Sequence, residues 1–373
     1  MSDDTPTPDQ APGAPHPRET ARMFGQDAAE QAFLTAYNSD RLHHGWLLTG
    51  PRGIGKATLA WRIAQFLLAT PPADDGGLFG APPPPDTLDI DPDHPVAHRI
   101  QAGAEPGLAA VTRSVNDQGR LRNEIVVDDI RKLGRFFGLS SADGGRRVVI
   151  VDSADEMNVS AANALLKMLE EPPARTTLLL ISHQPSRLLP TIRSRCRTLR
   201  LSPLGADDMQ RALAQTGTEI PGQADHLAAL AAGSVGDAVR LINLGGLKIY
   251  AELIAILGTL PRLDRQRALK LAETAAQRGA AERFDLLLSL IDVALSRLAL
   301  TGATGSAPMP EAAPNEVETL TRLSGSPRQA RQWAKVAAII TARARHGQAV
   351  NLDPASLVLD TVFKIQETAG HSR

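Results

Sequence analysis

Apolar and polar positions follow one pattern in the first half of the chain and another in the second. In the first half, short apolar runs without alternation are separated by segments whose apolar positions recur every three to four residues. Unalternated runs rich in β-branched residues and leucine are typical of strands buried on both faces of a parallel sheet. The predicted strands are 46–48, 108–112, 148–151, 176–182 and 198–201, and the main predicted helices are 22–38, 57–68, 127–137 and 160–171. This alternation predicts a three-layer parallel α/β domain.

Only helical patterns follow the last predicted strand. Three compact ones, divided by glycine and proline, occupy 204–246, and we expect an all-α domain over 247–373. Residues 1–20 are polar and rich in proline, so we expect a disordered tail before an α/β domain over 21–203. Within that domain, 70–95 is rich in Pro, Gly and Asp, which predicts an exposed loop.

Composition narrows the functional classes. The 40 basic and 41 acidic residues nearly cancel, so no global field attracts nucleic acid or an anionic membrane. Aromatic residues make up 3% of the chain, which argues against a base-stacking platform. The single cysteine, Cys196, excludes a disulfide framework and indicates a reducing, intracellular environment. The most apolar stretch, 284–300, is interrupted by charges at helical spacing, which predicts a core helix rather than a membrane span.

The segment WLLTGPRGIGKATL carries the strongest candidate chemistry. It places Gly50, Gly53, Gly55 and Lys56 between a predicted strand and a predicted helix. Glycines allow successive backbone N–H groups to turn around a phosphate, the helix N-terminus favours negative charge, and the lysine reaches the outer phosphates. The pattern predicts a nucleotide-binding phosphate loop. The alternative is a glycine-rich turn before an ordinary helix.

The residue after the lysine departs from the full signature. Magnesium coordination uses a Ser or Thr hydroxyl there, and this chain has Ala57. Thr58 comes next, but one residue along a helix is a rotation of roughly 100° away from the metal. Asp152 ends a predicted strand at the sheet edge where ligands of α/β proteins gather. We expect Thr58 and Asp152 to border the nucleotide, while the missing hydroxyl argues against hydrolysis.

Two histidines in the proline-rich region suggest a second kind of site. His94 and His98 lie four residues apart with aspartates nearby. A metal site is one interpretation, but without cysteines, and in an exposed loop, solvated histidines are the better one. No metal site is therefore predicted.

Four segments occur in the order that the AAA+ family uses. They are the phosphate loop GPRGIGKATLA, the strand VVIVD followed by SADEMN, the helix NALLKMLEEPP and the segment PTIRSRC. The Ser-Arg-Cys tripeptide and the LLKxLEEPP stretch resemble, in particular, the clamp loader of bacterial DNA polymerase III. The likeness covers about residues 20–245 by motifs and the remainder by architecture. It implies an α/β AAA+ P-loop domain, a small α-helical lid over 204–246 and an all-α collar, the oligomerisation domain, over 247–373.

Within this family the chain resembles the delta-prime type, because groups needed for hydrolysis are missing. Ser153 stands where a glutamate would orient the attacking water. The position of the lid arginine carries Gly236, and Arg240 follows one helical turn later. The sensor position has Ser182 and His183 where active members have Thr or Asn. A four-cysteine zinc module is common after the phosphate loop in this family, and here the proline-rich loop replaces it, so no zinc is expected.

The resemblance implies a non-hydrolysing clamp-loader subunit with at most a weak or vestigial site for ATP or ADP. Arg195 would act in trans, as an arginine finger on the nucleotide of a neighbouring ATPase subunit. The implied partners are the motor ATPase and delta subunits of a hetero-pentamer and, through that complex, the sliding clamp and primed DNA, with no membrane. The implied location is the cytoplasm, at the nucleoid-associated replisome, within a DNA polymerase (nucleotidyltransferase) assembly.

Alternatives stay open. Lys56 and Asp152 are compatible with an active AAA+ ATPase, either a motor subunit of the same loader or a related DNA-replication or repair ATPase. A metabolic P-loop kinase has less support, because no arginine-rich lid follows the loop. From composition alone, Arg195 is interpreted equally well as one residue of a solvated basic edge. Cys196 is interpreted as a packed small hydrophobe, because no histidine-and-acid pair lies near it in sequence.

Overall fold

The structure is a computed structural model. It describes residues 8–11, 14–20, 22–39, 42–70, 83–138, 145–218, 224–275, 281–350 and 352–370. By their contacts the residues form two units, which are Met1–Gly217 with Gly233–Gly236 (the N-terminal unit) and Thr218–Ala232 with Asp237–Arg373 (the C-terminal unit). A separate lid over 204–246 stays a prediction.

A parallel sheet forms the centre of the N-terminal unit. Within the described residues it has five strands in the order β2-β3-β4-β1-β5, and all neighbouring strands are parallel. The strands are β1 (Gly45–Thr49), β2 (Leu108–Val111), β3 (Arg147–Val151), β4 (Thr176–Ser182) and β5 (Arg197–Arg200). Every residue of β1 and β4 is buried, which explains why these segments are apolar without alternation.

Helices cover both faces of this sheet. They are α1 (Asp27–Asn38), α2 (Lys56–Ala69), α3 (Pro95–Gln101), α4 (Val127–Gly138), α5 (Val159–Glu170) and α6 (Pro190–Ser194), and α7 (Ala206–Gln215) follows the last strand. Because successive strand residues point to opposite faces, Trp46 and Leu48 pack with α1 and α2, while Leu47 packs with α4 and α5. The predicted three-layer α/β fold is confirmed.

The regular structure described in the C-terminal unit is helical. Its helices are α8 (Ala224–Ala231), α9 (Val235–Asn243, whose first two residues belong to the N-terminal unit), α10 (Gly246–Thr259), α11 (Arg265–Ala275), α12 (Ala281–Thr304), α13 (Glu316–Leu323), α14 (Pro327–Ala349) and α15 (Pro354–Gly370). By length and composition α12 could cross a membrane, but half of its apolar window is buried within the protein. It packs closely with α14, which favours the predicted core helix.

The N-terminal segment differs from the predicted disordered tail where the structure describes it. Residues 14–20 include a short 3₁₀ helix, Pro17–Glu19. His16 is 7% exposed and its ring lies 5.5 Å from the ring of Trp61 on α2. The composition gave no sign of this packing, because it depends on a contact between residues far apart in sequence. Residues 1–7 and 12–13 of the predicted tail lie outside the described residues.

A helix that the sequence analysis did not predict follows the proline-rich region. The described residues 83–94 lack regular structure, and α3 then begins at Pro95. Proline suits the first helical position, and Nδ1 of His94 accepts a hydrogen bond from the backbone N–H of Val96 at 3.2 Å. The rest of the predicted loop, 71–82, lies outside the described residues.

Candidate nucleotide site and the arginine at the opposite sheet edge

The predicted phosphate loop, residues 50–55, connects β1 to α2. Gly50, Gly53 and Gly55 have φ angles of 145°, 69° and 97°, a region that residues with side chains rarely adopt. A Cβ atom at Gly50 would also lie 2.7 Å from the carbonyl oxygen of Leu201. The backbone path therefore requires glycine, and α2 begins directly after the loop with its N-terminus beside it.

Lys56 is the first residue of α2 and is 3% exposed. Its Nζ atom donates hydrogen bonds to the carbonyl oxygens of Gly50, at 2.8 Å, and of Pro51. Burial lowers the pKa of Lys56 to about 8, although the charges of Asp152 and Asp155 oppose this effect. The ammonium group is thus held within the loop, where it would meet a bound phosphate.

The metal position of the loop has no oxygen ligand. Ala57 is half-buried and packs against the core on the α2 side of the sheet. Thr58, also half-buried, is the next residue of α2. Magnesium in phosphate-loop ATPases is held by a hydroxyl directly after the lysine. The structure supplies a methyl group there, and a nucleotide contact of Thr58 stays a prediction.

Asp152 follows β3 at the same edge of the sheet as the loop. Burial raises the pKa of Asp152 to about 7, and the charge of Asp9 adds to this effect while Lys56 opposes it. Near neutral pH the group is therefore divided between carboxylic acid and carboxylate. Because hard cations bind carboxylate oxygens, Asp152 is a weaker metal ligand than an ordinary aspartate.

Ser153 and His183 form a pair beside Asp152. Ser153 has a φ of 61°, and its Oγ atom lies 3.1 Å from Nε2 of His183. Burial lowers the pKa of His183 to about 4, and the charges of Lys56 and Arg52 act in the same direction. The imidazole is therefore neutral at pH 7. Position 153, where the resemblance predicts a water-orienting glutamate in active ATPases, therefore carries a hydroxyl group beside a neutral ring.

Two acidic residues that sequence reasoning missed organise this edge. The carboxylate of Asp155 accepts hydrogen bonds from the backbone N–H groups of His183, at 3.1 Å, and Gln184, at 3.0 Å. Glu156 lies 2.6 Å from the guanidinium of Arg52 in the phosphate loop. These contacts hold the loop after β4 and the phosphate loop in place. The sequence feature that could have identified them is the acidic pair itself, which follows β3.

Gly236, at the position expected for a lid arginine, packs directly on the phosphate loop. Its N–H donates to the carbonyl oxygen of Gly53 at 3.1 Å. A Cβ atom at position 236 would lie 3.0 Å from Cα of Gly53, and one at Gly53 would overlap Oγ of Ser234. Position 236 therefore has no room for a long side chain without a shift. Arg240 donates from Nη2 to the carbonyl oxygen of Glu282 at 3.3 Å, within the C-terminal unit.

Arg195 lies at the opposite edge of the sheet, between α6 and β5. Its carbonyl oxygen would lie 3.1 Å from a Cβ atom at Gly45, the first residue of β1. From there, the five residues of β1 extend roughly 16 Å to the phosphate loop. The side chain is 37% exposed and pairs with Glu170 at 2.8 Å, and Nη1 donates to the carbonyl oxygen of Thr191 at 3.1 Å. The structure therefore does not bring Arg195 together with Lys56.

Cys196 and the histidine pair were the other candidates. Burial raises the pKa of Cys196 to about 12, so the thiol stays protonated, and it packs with the core on the α5 side. His94 caps α3, and Nε2 of the exposed His98 lies 3.9 Å from Asp93. Within the part of the chain that the structure describes, no group of three or more His, Cys, Asp or Glu residues could hold a metal ion.

The fold and this site define an α/β domain with a phosphate loop between the first strand and the following helix. Residues 25–205 match the family model described as "DNA polymerase III, delta subunit". The chain is 38% identical over 212 residues to DNA polymerase III subunit delta′ of Pseudomonas aeruginosa, which covers 57% of this chain and 59% of that protein. It is 31% identical over 219 residues to delta′ of Escherichia coli, 57% and 58% of the two chains. Over its α/β domain, the chain is therefore related to the delta-prime subunits of bacterial DNA polymerase III, as the motifs predicted.

More distant relatives match a longer part of the chain. DNA polymerase III subunit tau of Escherichia coli is 27% identical over 299 residues, which covers 75% of this chain and 41% of tau. Among solved structures, a DNA polymerase III gamma subunit-related protein from Thermotoga maritima is 16% identical, with a TM-score of 0.42, over 90% of this chain and 99% of that one. The chain spans about three fifths of the length of the delta-prime relatives given above.

Proposed function

We propose that this chain is a delta-prime-type subunit of a bacterial DNA polymerase III clamp loader. In this proposal it does not hydrolyse nucleotide, and Arg195 acts on nucleotide held by a neighbouring ATPase subunit. The observation that carries the proposal is the place of Arg195, at the sheet edge opposite the chain's own phosphate loop. The delta-prime names of the relatives support the subunit type, and the tau and gamma names of others support ATPase neighbours.

The proposed setting is a cytoplasmic hetero-pentamer with motor ATPase and delta subunits at the replisome. Through that complex the chain would help to load the sliding clamp onto primed DNA. The near-zero net charge of −1 supports DNA contact through the assembly rather than through this chain alone. A vestigial site for ATP or ADP fits the phosphate loop, which keeps its glycines and Lys56.

The residues at three positions around the loop argue against nucleotide hydrolysis by this chain. Phosphoryl transfer depends on magnesium, on an oriented water and on positive charge at the γ-phosphate. Ala57 offers no metal ligand, Ser153 offers no base, and Gly236 offers no positive charge. Because these groups support the same step, their combined absence should remove hydrolysis while leaving the phosphate cradle.

The contacts of Arg195 are compatible with transfer to another subunit. To leave its present position the side chain has to break one half-exposed ion pair with Glu170, and such pairs contribute about 0–1 kcal/mol. An arginine that stabilises the charge of phosphoryl transfer raises the rate by roughly a thousandfold or more, about 4 kcal/mol of barrier. The gain in the transition state exceeds the loss in the ground state.

The test is a clamp loader reconstituted with Arg195→Ala in this chain. A matched control is Arg193→Ala, which removes an exposed arginine from α6, two residues before Arg195. Assembly is checked by gel filtration, and ATP hydrolysis by the motor subunits is followed in single turnover with clamp and primed DNA. We expect the Arg195 variant to assemble and to lose hydrolysis at one site per complex. Equal rates for both variants would leave Arg195 as a surface charge.

Residues 247–373, which lie within the C-terminal unit, are proposed as the oligomerisation domain. The apolar residues Leu253, Ile256 and Leu257 of α10 are buried inside the unit itself. Support comes instead from large apolar side chains that remain exposed, among them Leu300 at 50% and Phe363 at 49%. Exposed apolar surface of this kind is common at protein interfaces.

A second candidate function is an active AAA+ ATPase. It is favoured by the retained Lys56 and by the match to tau, which covers 75% of this chain. Measurement of phosphate release by the purified chain distinguishes the two functions. A steady rate of phosphate release that Lys56→Ala abolishes would support the active ATPase.

A further inference from the structure

The first described residues of the chain, 8–11, lie near its own phosphate loop. The Cβ atom of Ala11 is 3.9 Å from the place of a Cβ atom at Gly236, whose N–H is bonded to Gly53 of the loop. Asp9 is close enough to Asp152 for its charge to raise the pKa of that carboxyl group. Residues 9 and 11 are therefore near two residues that border the predicted nucleotide site, Asp152 and Gly236.

This segment is anchored by specific contacts. Oδ2 of Asp9 lies 3.0 Å from Nε2 of His16, and the two side chains are only 13% and 10% exposed. Nδ1 of His16 accepts a hydrogen bond from the N–H of Arg18, so Nε2 carries the hydrogen and donates it to Asp9. The His16 ring packs edge-to-face on Trp61 of α2, at 5.5 Å. Gln10 adds a hydrogen bond from Nε2 to the carbonyl oxygen of Ala14 at 2.6 Å.

We propose that this N-terminal segment is an intramolecular cover of the nucleotide site, which ATP or ADP has to displace in order to bind. The cover brings the carboxylate of Asp9 within electrostatic range of Asp152, where the phosphates of a nucleotide would add further negative charge. Like charges held together in a partly buried site disfavour each other. Nucleotide then binds only the open fraction of the chain, and its apparent affinity is reduced by that fraction.

The inference goes beyond the proposed function and does not rest on Arg195. It concerns the binding of nucleotide by this chain alone, so it can fail while the clamp-loader assignment stands. Conversely, a chain that never joins a clamp loader could still carry the cover.

The first experiment is a titration of the full chain with a fluorescent N-methylanthraniloyl ADP, followed by ATP competition. The test variant lacks residues 1–11, and the matched control lacks only 1–7 and so keeps Asp9 and Ala11. We expect the longer deletion to raise the apparent affinity at least about tenfold and the shorter one to leave it unchanged. Lys56→Ala in the longer deletion should abolish the gain, which assigns the binding to the phosphate loop.

A reversible lock keeps the test independent of the effect of deletion on folding. The 3.9 Å separation at positions 11 and 236 falls within the range of disulfide Cβ pairs, about 3.5–4.5 Å. The full chain with Ala11→Cys, Gly236→Cys and Cys196→Ser is compared with itself, oxidised and reduced. Any effect of the cysteine side chain at position 236 on the protein is then the same in the oxidised and the reduced form.

We expect oxidation to lower the affinity for the fluorescent ADP at least about tenfold and dithiothreitol to restore it. Each single cysteine variant should show no such dependence on reductant. Equal affinities in the two states, or equal affinities of the two deletions, would overturn the cover. Failure of the longer deletion to bind any nucleotide would overturn it too, because the cover would then not be what limits binding.

Discussion

Replacement of Glu316 by glutamine should destabilise the C-terminal unit by about 3 kcal/mol or more. Glu316 is fully buried and is the shared acceptor of a polar network. Oε1 accepts from Tyr250 Oη at 2.6 Å and from Arg297 Nε at 2.8 Å. Oε2 accepts from Arg297 Nη2 at 3.0 Å and from the N–H of Ala312 at 2.6 Å. A neutral amide leaves the guanidinium, which is 12% exposed, without its counter-charge.

The size of this effect follows from what remains in the variant. Loss of one partner of a buried ion pair costs about 3–5 kcal/mol, because the other charge stays buried. Nη2 of Arg297 keeps the carbonyl oxygens of Pro308 and Pro310, at 3.0 and 2.9 Å, so we expect the lower end. Burial, and then the charge of Glu316, raise the pKa of Tyr250, which therefore stays a donor. Tyr250→Phe removes a single hydrogen bond to a charged group and should cost about 1.5–3 kcal/mol.

Urea unfolding followed by the fluorescence of Trp333 measures this loss. Trp333 is fully buried on α14, and Trp46→Phe with Trp61→Phe removes the signal of the N-terminal unit. With a slope of about 2 kcal/mol per molar urea, 3 kcal/mol moves the midpoint by about 1.5 M. Asp360→Asn is the control, because it breaks a largely exposed ion pair with Arg343 and should cost at most about 1 kcal/mol. Similar shifts for Glu316→Gln and Asp360→Asn would refute the reasoning.

Three further expectations concern the nucleotide site and the C-terminal unit. The purified chain should release no phosphate from ATP, with or without primed DNA, and a steady rate would contradict the missing metal ligand and base. The imidazole of His183 should titrate near pH 4 in an NMR titration, so its contribution to stability is present above about pH 6.5 and is lost as the pH falls toward 4; a midpoint near 6.5 would be inconsistent with its burial. A chain that ends at residue 246 should no longer co-purify with the motor subunits, and retained full-length affinity would exclude the collar assignment.

The sheet could be predicted from sequence because burial on both faces leaves a local mark. The segment 176–182 was predicted as a strand, and β4 has the same bounds, since all seven of its residues are buried. The phosphate loop is likewise local, because its glycines, its lysine and the following helix are consecutive. Its conformation follows from the positive φ angles that only glycine adopts readily.

The remaining features depend on pairs of residues that are distant in the chain. Gly236 and Gly53 are in contact, but nothing in the sequence at either position indicates that the other is its partner. The same holds for His16 on Trp61 and for Asp155 at the backbone of His183. Composition correctly describes residues 1–20 as polar, yet packing of His16 on α2 determines the structure of the described residues 14–20. Hydrophobic patterns report which side chains are buried, and they carry no information on which distant partner buries them.

The central claim is that this chain acts through Arg195 and not through its own phosphate loop. One measurement compares clamp-dependent ATP hydrolysis by two reconstituted complexes, one with Lys56→Ala and the other with Arg195→Ala in this chain, after both are shown to assemble. We expect an unchanged rate for Lys56→Ala and, for Arg195→Ala, the loss of hydrolysis at one neighbouring site, by roughly a thousandfold. A fall with Lys56→Ala and an unchanged rate with Arg195→Ala would contradict the account and make this chain a motor subunit.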